Sequence, residues 1–201
     1  MKEYSGVKFQ VIFQEKIITN AHQIDKLKNW GKQLSKLGFI PHYRNEQEPD
    51  RLSSAGNLSF RMNKEFVITA SYSDLSNLRD EDFIHIKGVD LRQKKIWVNG
   101  KREPSSETML HYSIYQKRND INAIFHGHST KLLNNCKRLG LKSTLYEAQY
   151  GSLELVNSVL EVLEDENFLI IKNHGFLSFG RNITKAGENT LNIYRRLEEI
   201  T

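Results

Sequence analysis

Apolar residues along this chain follow two periods, and the switching between them predicts an α/β fold. Val7, Phe9, Val11 and Phe13 alternate with other residues, the pattern of a strand whose successive side chains face opposite sides. Ile24, Leu27, Trp30, Leu34 and Leu37 then recur at helical spacing and stop at Gly38, a good helix C-terminus. Short strands are predicted at Phe66–Thr69, Phe83–Ile86 and Lys95–Val98, the last followed by the turn pair Asn99-Gly100. Ser105 to Arg118 reads as a helix capped by Ser105 or Ser106, and Ile121–Phe125 as the next strand. Helices near 129–139, 152–163 and 183–199 follow, with strands at Phe168–Lys172 and Phe176–Phe179 between the last two. No repeat, linker or low-complexity segment interrupts the pattern. Residues 1–201 are therefore expected to form one domain, with 1–20 as an N-terminal extension.

Composition narrows the class. A hydrophobic content of 38% with 26% charged residues is that of a globular chain, not a disordered one. No apolar run approaches the roughly 20 residues that span a bilayer. The charged opening MKEYSGVKFQVIFQEK lacks a signal-peptide core, so a cytoplasmic location is the expectation. A single cysteine, Cys136, excludes an intrachain disulfide and a cysteine-based zinc module. The net charge of +5 comes from scattered lysines and arginines, with only short pairs such as Lys94-Lys95 and Arg195-Arg196. No phosphate-tracking stripe results, and neither nucleic acid nor membrane is expected as a partner. A mild positive field still favours a small anionic substrate.

The chemistry concentrates in histidines. His126 and His128, in IFHGHST, stand two apart at a strand end and so share a face. His174, in KNHGF, follows the apolar run Phe168-Leu-Ile-Ile and can complete a three-nitrogen site for a divalent metal with open positions for substrate. Imidazole ligands suit zinc first, and other late first-row divalent ions after it. His22, His42 and His85 lack such company, and His111, four residues after Glu107, reads as a packing or orienting residue. Glu107 opens a helix after Pro104-Ser105-Ser106, where it can either cap that helix or act chemically. Ala55–Ser59 reads as a glycine-containing turn able to approach an anion through its backbone, and Thr69-Ala70-Ser71 as a second small polar stretch.

In order and spacing, five segments resemble the class II aldolase and adducin-head family. They are Ser54–Ser59, Ile68–Ser71, Pro104–His111, His126-Gly127-His128-Ser129 and Asn173-His174-Gly175, and the resemblance runs from about Leu27 to the C-terminal helix. It implies a three-layer α/β/α domain with a central, largely antiparallel sheet, in a homotetramer whose active sites lie between subunits. It makes His126, His128 and His174 the metal ligands and Glu107 a general acid/base that can also approach the metal. Ser54, Asn57, Ser71, Ser105 and Ser106 match positions that bind the substrate phosphate, and Tyr146 falls near a tyrosine that transfers protons across the subunit interface. The implied reaction is retro-aldol cleavage of a ketose 1-phosphate or related sugar through a metal-stabilised enediolate.

Three departures qualify that expectation. Tyr72 stands where phosphate-binding members usually have glycine, and a tyrosine is expected to hinder both positive φ and close backbone approach. The chain ends soon after Arg195-Arg196, so no long tail is expected to close over the site. The added N-terminal strand is expected to extend the sheet or an interface. Pentulose-phosphate 4-epimerases of the family usually carry aspartate where Glu107 stands, which favours an aldolase. A methylthioribulose-1-phosphate dehydratase shares the glutamate, and an adducin-like binding module generally lacks the full metal set.

Overall fold

The computed structural model describes residues 8–14, 21–44 and 51–201. Val7 of the predicted opening strand lies outside them, as does the rest of the 1–20 extension apart from residues 8–14. The chain runs β1 (Gln10–Gln14), α1 (Ala21–Lys36), β2 (His42–Arg44), β3 (Leu52–Ser54), β4 (Gly56–Met62) and β5 (Glu65–Thr69). It continues through β6 (Phe83–Asp90), β7 (Lys95–Asn99), α2 (Thr108–Lys117), β8 (Ala123–Gly127) and α3 (Thr130–Asn135). The last elements are α4 (Leu153–Val162), β9 (Phe168–Ile171), β10 (Gly175–Gly180) and α5 (Ile183–Glu199). No helix among the described residues is long and apolar enough to cross a membrane.

Eight strands form one sheet in the order β1-β7-β6-β5-β4-β8-β10-β9, and β2 with β3 makes a small separate ribbon. Every pairing in the large sheet is antiparallel except β1 with β7, so the N-terminal strand extends the sheet at its edge. Alternation along the strands divides the core in two. Ile68, Ile84, Ile124, Leu169 and Leu177 pack with Met109 and Ile114 of α2 and Val156 and Val159 of α4. Their neighbours Leu58, Val67, Phe125, Ile170 and Phe176 pack on the opposite face with Leu27 and Leu34 of α1 and Ile193 and Leu197 of α5. Helices on both faces of one sheet give the expected α/β/α layering.

Several boundaries differ from the sequence reading, each for a local reason. Ala55–Ser59, read as a turn, lies mostly in β4, which runs near the centre of the sheet between β5 and β8. Leu58 and Phe60 point into one core, while Asn57 and Ser59 on the opposite face find hydrogen-bond partners on or beside α2. A strand can carry buried polar residues when each has a partner. The helix expected from Ser105 starts only at Thr108, with Glu107 at its N-cap position. The expected 129–139 helix is confined to α3, capped by the Ser129 hydroxyl.

Register carries the polar residues to one place. Asn57 of β4 pairs with His126 of β8, which in turn pairs with Leu177 of β10. The next row holds Gly56, Gly127 and Phe176.

Candidate metal centre

His126 is the penultimate residue of the buried strand β8, and His128 follows directly beyond its end. His174 comes from the opposite direction, in the turn between β9 and β10. Asn173 makes that turn at φ 57°, a left-handed conformation that asparagine tolerates better than most residues. Its side-chain amide donates to Glu147 Oε2 at 3.0 Å. Gly175 then lets β10 close on the site, because a methyl group there overlaps the Gly127 carbonyl and crowds the His126 and His128 rings.

The three imidazoles converge. Their ring centroids are 4.8, 5.0 and 4.9 Å apart, and one ligand nitrogen from each lies within 4.8 Å of the others. His126 Nδ1–H donates to the Phe176 carbonyl at 2.9 Å, which fixes the tautomer and turns the Nε2 lone pair toward His128 Nε2, 2.9 Å away. Burial, reinforced by the His174 imidazole, holds His126 well below the usual histidine range, and burial with His126 and His174 does the same for His128. Both rings are therefore neutral near pH 7, the form that ligates a metal.

Glu107 completes the cluster. Its carboxylate is 3% exposed, with Oε2 3.2 Å from His126 Nε2 and Oε1 3.5 Å from His174 Nε2. Asn57 Nδ2–H donates to Oε2 at 3.0 Å, while Oε1 is buried with no hydrogen-bond partner. Glu107 makes no side-chain cap bond to α2, so the capping alternative does not hold. A buried carboxylate oxygen without a donor, beside neutral imidazoles, is electrostatically costly by itself. A divalent cation relieves that cost and fits this donor set.

The serines predicted for phosphate binding lie on converging segments. Ser54, Ser71, Ser105 and Ser106 are all buried. Ala70 bridges Pro104, Ser105 N–H donates to the Thr69 carbonyl, and Ser54 N–H donates to the Ser73 carbonyl. Ser71 Oγ donates to the Pro104 carbonyl at 2.9 Å, and Ser54 Oγ accepts from Leu75 N at 2.9 Å. Asn57 differs from these serines, since its amide is committed to Glu107. Tyr72 adopts φ 58° despite its side chain, so the expected hindrance of the left-handed turn is overcome. That conformation costs about 1–2 kcal/mol. Bonds from Ser53 Oγ to the Tyr72 carbonyl and from Ser73 Oγ to the Ala70 carbonyl brace it. Tyr146 is 36% exposed, and its hydroxyl points to Glu161 at 3.4 Å rather than to the histidines.

Three features escaped the sequence reading. The Phe176 carbonyl orients His126, although no side-chain motif announces it. Ser59 Oγ lies 2.8 Å from His111 Nδ1 and 2.7 Å from the Tyr115 hydroxyl, a buried chain hinted at only by the alternation in Gly56–Met62. Asp82, fully buried, receives Arg51 Nη2 at 2.5 Å, Arg102 Nη1 at 2.5 Å and the Arg79 backbone N–H at 2.7 Å. Arg102 also donates to the Ser71 carbonyl at 3.2 Å, which ties this ion cluster to the serine segments.

Comparison with known proteins agrees with this geometry. The profile of the Class II Aldolase and Adducin N-terminal domain matches residues 52–199. An L-fuculose phosphate aldolase of Methanocaldococcus jannaschii is 34% identical over 149 residues, covering 67% of this chain and 77% of that protein. A methylthioribulose-1-phosphate dehydratase of Pseudoalteromonas translucida is 30% identical over 200 residues, covering 89% of this chain and 87% of that protein. Among solved structures, an L-fuculose 1-phosphate aldolase superposes with a TM-score of 0.68 at 24% identity, over 89% of this chain and 85% of that one. A sugar-phosphate aldolase from Thermotoga maritima gives 0.71 at 18%, over 89% and 93%. The two superpositions establish the fold.

Proposed function

The chain belongs to the class II aldolase and adducin N-terminal domain family, and from that premise we propose that it is a divalent-metal-dependent aldolase cleaving a sugar phosphate. The observation that carries the proposal is the buried Glu107 carboxylate, one oxygen without a donor, set among three converging imidazoles. His126, His128 and His174 are the residues that hold the ion, with zinc the first candidate for three nitrogen ligands. A bound divalent ion supplies Lewis acidity toward carbonyl and hydroxyl oxygens.

The chain's own groups account for the proton movements. In cleavage, the hydroxyl beside the breaking bond loses its proton and the bond's electron pair passes to the carbon next to the carbonyl. Glu107, which enters this step protonated on Oε1, delivers that proton to the carbon and is left as the carboxylate, while Asn57 keeps Oε2 fixed. Ser54, Ser71, Ser105 and Ser106 bind the phosphate oxygens, and the chain works as a homotetramer in which a neighbouring copy supplies Tyr146 for the other proton. The exposed position of Tyr146 supports that role, since its hydroxyl is turned away from its own chain's histidines. A dehydratase is the second reading, favoured by the relative that covers 89% of this chain.

Metal analysis and product analysis test the proposal together. Zinc-loaded protein is expected to retain about one ion per chain after desalting, and His128→Ala to lose it, because one of three ligands is gone. With L-fuculose 1-phosphate as substrate, two carbonyl fragments are expected. With 5-methylthioribulose 1-phosphate, a product that has lost water but kept every carbon favours the dehydratase. A folded, metal-loaded protein that transforms neither compound refutes both readings.

A further inference from the structure

Two rungs of polar contact join β4 to the start of α2. Asn57 meets Glu107 on the first, and Ser59 meets His111 on the second. The periods match: two strand residues advance about 7 Å and four helical residues about 6 Å, so the rungs stack. His111 N–H donates to the Glu107 carbonyl, which places both side chains on one helical turn. The first rung serves the metal centre directly, whereas the second has had no role so far.

The second rung has two possible hydrogen-bond directions, distinguished by the tautomer of His111. Burial pushes the Tyr115 hydroxyl far up, so it keeps its proton and is able to donate to Ser59 Oγ, 2.7 Å away. In that direction Ser59 donates its own proton to His111 Nδ1 at 2.8 Å. His111, fully buried and with its pKa driven down to about 3 chiefly by that burial, is a neutral ring with one N–H. With Nδ1 accepting, that hydrogen sits on Nε2. His111 Nε2 is buried and has no hydrogen-bond partner.

The first rung has the complementary gap. Only the amide N–H of Asn57 can face a carboxylate, so Asn57 Oδ1 is turned away from Glu107, and it too is buried without a partner. In that direction a donor and an acceptor stand unpaired on adjacent rungs of one interface, without a direct hydrogen bond between them. We propose that His111 is a positioning residue whose Nε2–H acts on Asn57, so that Tyr115, Ser59, His111 and Asn57 together set the orientation of the Glu107 carboxylate. A chain of this kind rigidifies its terminal member, and a displacement of about 1 Å at a catalytic group can cost about 10²-fold in rate. The inference rests on Glu107 being the acid/base of the proposed reaction, but its hydrogen-bond pattern can be tested without turnover.

Two substitutions separate the ends of the imidazole. His111→Gln places an amide N–H near the position of Nε2, while His111→Asn places its amide near Nδ1, beside Ser59. Steady-state kinetics with L-fuculose 1-phosphate should show His111→Asn lowered about 10²-fold in kcat, with KM and zinc content near wild type. His111→Gln should recover most of that loss. A purely structural role predicts the reverse order, with Asn the better replacement, and that result, or equal kcat values, would overturn the proposal. The turnover-free arm uses protein labelled with ¹⁵N-histidine. His111 should show the Nε2–H tautomer, and Asn57→Ala should shift its Nε2 resonance. An Nδ1–H tautomer, or a resonance unmoved by Asn57→Ala, would disprove the coupling even if the compound is not a substrate. If the predicted tautomer and shift appear but wild type cleaves nothing, the reading of the reaction fails and the His111–Asn57 coupling stands.

Discussion

Glu107 and Asp82 are two buried carboxylates in one chain, 3% and 0% exposed, and their surroundings are opposite. Asp82 is saturated: Arg51 meets both oxygens, Arg102 meets Oδ1 and the Arg79 amide meets Oδ2. Glu107 has one amide donor on Oε2, no donor on Oε1, and three imidazoles gathered beside it. Burial alone therefore does not distinguish a structural acid from a reactive one. The distinction lies in whether the lone pairs are already spoken for. A saturated carboxylate pins segments together, and an unsaturated one is held ready for a cation, a proton or a substrate.

Substitutions should separate these roles, beginning with the largest effect. Glu107→Gln is expected to lower turnover by about 10²–10⁴-fold, since an amide cannot shuttle a proton. Unfolding of the metal-free variant should need at least as much urea as wild type, because a poorly compensated buried charge has been removed. Near-normal turnover would erase the contrast with Asp82. Asp82→Asn should behave conversely, losing about 3–5 kcal/mol in urea unfolding while the folded fraction still binds zinc. A stability loss under about 1 kcal/mol would mean that the two arginines find other partners.

Acid sharpens the same contrast by a smaller amount. Burial by itself raises the Asp82 pKa, but the bonds from Arg51, the Arg79 amide and Arg102 outweigh it and hold the group below its ordinary 3.8. A carboxyl depressed in the folded state stabilises fully above its unfolded value and loses that contribution as pH falls through the folded one. Wild type should therefore lose stability below about pH 4, at about 1.4 kcal/mol per unit of pKa difference. Asp82→Asn should lose less over that window. Urea midpoints measured at pH 6 and pH 3 check this, and parallel losses in both proteins would remove Asp82 as the cause.

Much of the architecture was legible because burial imposes periodicity. Both long terminal helices, α1 and α5, and the strands around Phe66, Phe83, Phe168 and Phe176 lie close to where alternation and helical spacing put them. The histidine cluster was legible for the same reason, since strand ends present i and i+2 residues together. β4 was misread because Asn57 and Ser59 look like turn residues until their partners Glu107 and His111, 50 and 52 positions away, are in place. Asp82 sits in the run Arg79-Asp80-Glu81-Asp82, which reads as a solvated surface. Its arginines arrive from 31 and 20 residues away, separations at which no local pattern operates.

The register row Asn57–His126–Leu177 also bears on how this protein can change over generations. Deleting one residue from β8 would rotate His126 into the α1/α5 core and bring a phenylalanine to the histidine cluster, so length changes there are lethal to the cluster. The segment from Cys136 to Ser152 is held to the sheet mainly through the bonds of Lys142, Thr144 and Lys172 along β9. Insertions at its exposed residues away from Tyr146 and Glu147, such as Arg138, leave the row untouched. Inheritance can therefore revise this segment by insertion and deletion, while the histidine cluster admits only substitution.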